Sequence, residues 1–140
     1  MNYDISRFIE AQRSSYQQAL SEIKNGKKAS HWIWYIFPQI KGLGRSAMSE
    51  YYGIQDIDEA KAYLADPILS KRLIEICEVL LSLDTNDAVE VMGRPDDKKL
   101  KSSMTLFDAA TDSLEIFQMV LDKYYNGKKD NLTLRILGIK

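Results

Sequence analysis

"DPILSKRLIEICEVLLSL", Asp66 to Leu83, decides the class of fold. Its apolar residues Leu69, Leu73, Ile76, Cys77, Leu80 and Leu81 recur at steps of three and four, which is the spacing of a helix with one face against a core. Pro67 is tolerated in a first helical turn, where a missing amide hydrogen costs nothing, so the helix is expected to begin there.

The same pattern extends in both directions. From Ile5 to Asn25, residues Ile5, Phe8, Ile9, Tyr16, Ala19, Leu20 and Ile23 make a second long stripe. Asp4 is the expected cap of that helix, and Gly26 is free to take the left-handed turn that ends it. "DIDEAKAYLAD" reads as a short helix capped by Asp56. Beyond Leu83, "TNDAVEVMG" reads as a short helix closed by Gly93, and "DDKKLKSSMTLFDAA" as a longer one with acids at its dipole-positive start. "SLEIFQMVLDKYYNG" has Ser113 as expected cap and Gly127 as terminator, and "DNLTLRILG" opens a further helix near Asn131. Alternation of strand length is absent, and there is no solenoid repeat or low-complexity segment. The expectation is an all-α array of about five to eight helices without a sheet, forming one domain over residues 1–140.

Composition narrows the function classes. Nineteen basic and twenty acidic side chains leave a net charge of -1, so bulk attraction to nucleic acid or to an anionic membrane is not expected. Cys77 and His31 are the single cysteine and histidine, which excludes an internal disulfide and leaves no conventional zinc site. No motif calls for a cofactor. "MNYDISRFIEAQRSSY" lacks the basic start and apolar run of a signal peptide, and no stretch reaches the length of a membrane span. A soluble cytoplasmic protein is the expectation.

Three stretches carry the densest chemistry. "SHWIWYIFPQ", Ser30 to Gln39, holds the histidine and both tryptophans. As a helix capped by Ser30, which its helical neighbours favour, it has no fully polar face, and Pro38 ends it, so most of it belongs to a core; the alternative is an extended segment with His31, Ile33, Tyr35 and Phe37 on one side. Its rim remains open to function. One of Trp32 and Trp34 could stack on a ligand ring, and His31 could transfer protons near neutral pH, or these could be packed, hydrogen-bonded residues. "KGLGRSAMSEYYG" sets Gly42 and Gly44 before Arg45 and Ser46, either an anion seat or a glycine turn with Ser46 as a helix cap. "GRPDDKKLKSSMTLF" aligns Lys98, Lys101, Ser102 and Thr105 at helical steps, where three hydroxyls cost propensity and could face a polar pocket or solvent. Cys77 reads as a small buried residue.

Taken together, "RFIEAQRSSYQQALSEIKNGKKASHWIWYIFPQIKGLGRS", "AKAYLADPILSKRL" and "GRPDDKKLKSSMTLF" resemble the bacterial family catalogued as domain of unknown function 1810. The likeness runs in order over almost the whole chain. It implies a compact array of helices and no established activity. The tryptophans and the lysine-rich helix are also faintly similar to helical glycosidases acting on ADP-ribose adducts, but no catalytic motif matches, and no site is carried over.

Three functions follow as expectations. The first is binding of a small anionic or nucleotide-like ligand by Trp32, Trp34, Arg45, Ser46, Lys101, Ser102 and Thr105. The second is a hydrolase or glycosidase of a nucleotide-derived substrate in the same pocket, with His31 or an acidic residue as the proton-transfer group and His31 the catalytic candidate. The third is an interaction module built on exposed aromatic residues. The first two require His31, Arg45 and Lys101 to converge.

Overall fold

The computed structural model describes residues 4–139, so the first three residues of the N-terminal stretch discussed above lie outside it. Among the described residues there are nine helices: α1 (Ser6–Lys24), α2 (Ile33–Ile36), α3 (Ala47–Tyr52), α4 (Ile57–Ala65), α5 (Pro67–Ser82), α6 (Ala88–Met92), α7 (Asp96–Ala110), α8 (Ile116–Tyr125) and α9 (Asn131–Leu137). The class is as expected, and the count is one above the expected range. The four shortest, α2, α3, α6 and α9, have four to seven residues. Helices that short are held by packing, not by their own stripe. The one sheet-like feature among the described residues is an isolated parallel bridge between Ile40 and Ile54, where the Ile54 amide donates to Gln39 O at 2.9 Å.

Helix α7 is the centre of the array, packed against α4, α6, α8 and α9, while α1 lies along α5. Leu100, Met104, Leu106 and Phe107 of α7 are fully buried. A file of rings crosses the core from α1 to α8. Phe8 meets Tyr63 edge-on at 5.2 Å, Tyr63 meets Phe107 at 5.0 Å, and Phe107 meets Phe117 at 5.8 Å. Each such pair contributes about 0.5–1.5 kcal/mol beyond the area it buries. Cys77 lies in the same core, its Sγ 3.7 Å from Met104 Sδ.

Polar groups fasten the helix ends. Asp56 caps α4 through the Glu59 amide at 2.9 Å, and Asp66 caps α5 through the amides of Ile68 and Leu69. At the other end of α5, Lys123 Nζ donates to the carbonyls of Leu80, Leu81 and Leu83. Gly26 takes φ +79° at the end of α1, as expected. Three caps differ from expectation. Asp4 does not cap α1, because the position before the helix is Ile5 and Asp4 instead accepts from the Ser6 hydroxyl. Ser113 does not cap α8; its place is taken by Glu115, and Thr111 Oγ1 accepts from the Ser113 and Leu114 amides. Ser30 does not cap α2, which starts after Trp32, for a reason given below.

Arg7 and Glu59 join α1 to α4. Their 3.0 Å ion pair is almost fully buried, with Arg7 also donating to Tyr51 O and Gly53 O and the Gln55 amide donating to Glu59 Oε1. No helix among the described residues is long and apolar enough to cross a membrane.

Candidate functional site

The site begins at Glu22, near the end of α1. Its Oε1 accepts from the amides of Ala29 and Ser30 at 2.8 and 2.9 Å and from Trp32 Nε1 at 2.8 Å, while Oε2 accepts from Ser30 Oγ at 2.6 Å. Partial burial opposes the charge on Glu22. The hydrogen bonds from Ser30, Ala29 and Trp32 outweigh it and bring the carboxyl down to about 2. Ser30 is therefore a ligand of Glu22, which is why it does not cap α2.

This network sorts the two tryptophans. Trp32 is 2% exposed, with its indole N–H committed to Glu22 and its ring 6.1 Å from Phe37. Trp34, two residues on, is half-buried. Its Nε1 is buried with no hydrogen-bond partner among the described residues.

Trp34 forms a wall of a cleft of about 270 Å³ between the loop before α2 and the start of α7. The loop contributes Lys28, Ala29, Ser30 and His31; the other side contributes Arg94, Pro95, Asp96 and Lys99. His31 is exposed, and its ring makes no hydrogen bond among the described residues. Arg94 is exposed as well and has no ion pair there.

The cleft's charges are not equivalent. Lys28 Nζ is nearly buried, 2.7 Å from Asp96 Oδ2, donating to Ser30 O and lying 4.9 Å from the centre of the Trp32 ring. It closes the loop onto α7 and is spent in doing so. Asp96 Oδ1 faces Lys99 Nζ at 3.7 Å, and that ammonium stands 5.3 Å from the centre of the Trp34 ring. An ammonium over an indole face is attracted by the ring quadrupole. Asp96 thus cancels Lys28 and helps hold Lys99 over Trp34, leaving Lys99 and Arg94 as the net charge of the cleft.

On its other side Trp34 lines a recess of about 20 Å³ with Gln39, Gly44, Ser49 and Tyr52. That is about the space of one water molecule. Gly44 of the glycine turn belongs to this recess and answers to packing, since a Cβ there would come within 2.5 Å of Ser49 Oγ, whereas Gly42 answers to its backbone, at φ +107°.

Of the residues singled out in the sequence, His31 and Trp34 share the cleft, and Trp32 stands behind it. Arg45 and Ser46 do not line it. Ser46 caps α3 through the Ser49 amide at 3.1 Å, and Arg45 is exposed beside it. Lys101 does not line it either; its Nζ is 6.0 Å from the centre of the Tyr125 ring. Ser102 and Thr105 donate to the carbonyls of Lys98 and Lys101, one turn back, and Thr105 Oγ1 also accepts from the Asp130 amide. Those hydroxyls repair their own helix and tie down α9. The convergence of His31, Arg45 and Lys101 therefore does not occur in this cleft. Arg94 and Lys99 stand in it instead.

Two larger grooves compare poorly. One, of about 430 Å³, is lined by Asp108, Asp112, Glu115 and Asp122, which repel an anion. Among the described residues no group of three or more His, Cys, Asp or Glu side chains is arranged to hold a metal ion. The other, of about 420 Å³, lies along Tyr16, Lys71, Arg72 and Glu75, where the Tyr16 hydroxyl already donates to Glu75.

Fold and cleft together define an all-helical protein with a cationic, tryptophan-walled cleft at the start of its central helix. The chain belongs to the DUF1810 family, described as proteins of unknown function, whose model matches residues 2–137. It is similar to the conserved hypothetical protein Rv1873 from Mycobacterium tuberculosis, solved by crystallography, at 40% identity over 99% of both chains and a TM-score of 0.95. No curated protein matches the chain.

Proposed function

We propose that the protein binds a small anionic molecule in the cleft between His31 and Lys99. The reading rests on one observation above all: three cationic side chains, Lys28, Arg94 and Lys99, line a walled cleft whose one lining carboxylate, Asp96, is shared between Lys28 and Lys99. Two unit charges near 4 Å attract by roughly 4 kcal/mol at the effective dielectric of a protein surface. An anion seated between Arg94 and Lys99 gains that attraction twice, less its own desolvation. At about 270 Å³ the cleft lies near the lower limit of ligand pockets, which suits one anionic group with one ring or sugar and not a dinucleotide.

Calorimetry with a panel of sugar phosphates, nucleotides and their uncharged counterparts tests the reading. Anionic members should bind and uncharged ones should not, and Lys99→Met should weaken binding tenfold or more. A panel in which nothing anionic binds would remove the proposal.

A second reading is favoured by His31, whose ring is exposed at the cleft and free of protein hydrogen bonds among the described residues. In that reading the imidazole transfers a proton during hydrolysis of the bound anion. Turnover of any panel member should then fall by orders of magnitude in His31→Ala while binding persists. Equal turnover in the variant would discard the role.

A further inference from the structure

The cleft's charges and its indole wall also bear on the kind of anion it takes, an inference that rests on the anionic reading. Two features of the cleft decide it. The first is the charge that remains after internal pairing. Lys28, Lys99 and Arg94 share one lining carboxylate, Asp96, which stands 2.7 Å from Lys28 and 3.7 Å from Lys99, so the cleft keeps two positive charges in excess. A singly charged ligand would leave one of them unmatched.

The second feature is the Trp34 ring. The Lys99 ammonium stands over it, 5.3 Å from the ring centre. A base stacking on that face would have to displace an ammonium held by both the ring and Asp96, exchanging a cation–π contact for a stacking contact of similar size. An anionic group meeting Lys99 from the cleft displaces nothing. The indole then serves to set the height of the ammonium, and the organic part of the ligand is held less closely than its charge.

From these we infer that the cleft recognises the dianionic phosphate of a small phosphomonoester, and is indifferent to the base or sugar that carries it. A terminal phosphate on one ester bond carries close to two charges above its second ionisation near pH 6, whereas a phosphodiester carries one. Arg94 can meet two of its oxygens side by side and Lys99 a third, which is the division of labour expected of a planar fork and a point charge.

The experiment is isothermal titration at pH 7.5 with ribose 5-phosphate, AMP, 3′,5′-cyclic AMP, adenosine and inorganic phosphate. The inference expects ribose 5-phosphate and AMP to bind within about threefold of each other. Cyclic AMP should bind at least tenfold more weakly than AMP, inorganic phosphate also more weakly, and adenosine not at all. Lys99→Met and Arg94→Met, each checked for helix content by circular dichroism, should lose the preference of AMP over cyclic AMP. Cyclic AMP binding as tightly as AMP would overturn the dianion inference and leave the anionic reading intact. AMP binding tenfold more tightly than ribose 5-phosphate would show that the base is read, and would overturn it too. Inorganic phosphate binding as tightly as the esters would overturn the assignment to an ester. No binding by any phosphate, or binding by adenosine, would overturn both readings.

Discussion

Trp32 Nε1 donates to Glu22 Oε1 at 2.8 Å, so the buried tryptophan of the HWIWY stretch is tied to the carboxylate that shapes the loop carrying His31. That carboxyl ionises at about 2 in the folded protein against an ordinary value of 4.5, because four hydrogen bonds outweigh the cost of its partial burial. A lowered folded value stabilises the fold above the ordinary value and is lost as pH falls from 4.5 towards about 2. Chemical denaturation across that window should show stability falling in the wild type and a flatter profile in Glu22→Gln. Parallel profiles would contradict the account.

The ion pair between Arg7 and Glu59 is the most deeply buried charge contact described. Arg7→Met strands a carboxylate that is fully shielded from solvent, and a broken buried pair costs ~3–5 kcal/mol. The double variant Arg7→Met with Glu59→Met should recover much of the loss, since it leaves no unpaired charge. Urea midpoints of the three proteins measure both effects, and a double variant no better than the single would refute the explanation.

Lys123 closes the C-terminal end of α5 from a different helix. Lys123→Met keeps much of the stem's packing and removes a charged donor from three carbonyls, for an expected cost of ~1–3 kcal/mol. Amide exchange in the last turn of α5 should accelerate more than exchange elsewhere. Uniform acceleration would show that the lysine acts only through global stability.

Cys77 is fully buried, and burial pushes its thiol well above the ordinary range. A thiol reagent should leave the native protein unmodified for as long as the fold persists and react with one equivalent on addition of denaturant. Prompt reaction in the native state would contradict the burial of Cys77 on α5 beside Met104.

The sequence makes the long helices legible because α1, α5, α7 and α8 each present a stripe of several turns. It separates helix from strand everywhere but at Ser30 to Gln39, where both periods fit and the helix spans only Ile33–Ile36. The site is legible only in part. His31 and Trp34 stand out by composition, but which tryptophan faces the cleft depends on Glu22, seven to ten residues before its partners and on another helix. The lysine-rich stretch points to α7 and misses its register. Three hydroxyls with Lys101 look like a polar face, whereas Ser102 and Thr105 turn back on their own carbonyls and Lys99 faces Trp34. A one-residue step on a helix turns a side chain by about 100°, and only the packing of α7 fixes that angle. Arg94 precedes the helix and carries no periodic signal at all.

His31 is the only histidine in the chain, so its ring gives one imidazole Cε1–H signal in a proton NMR spectrum. Titration with ribose 5-phosphate at constant pH should move that signal saturably in the wild type. The shift should be lost in the double variant Arg94→Met with Lys99→Met, whose fold is verified by its amide spectrum. A resonance that stays fixed while the ligand binds, or that moves equally in the double variant, would contradict the assignment of the anion to this cleft.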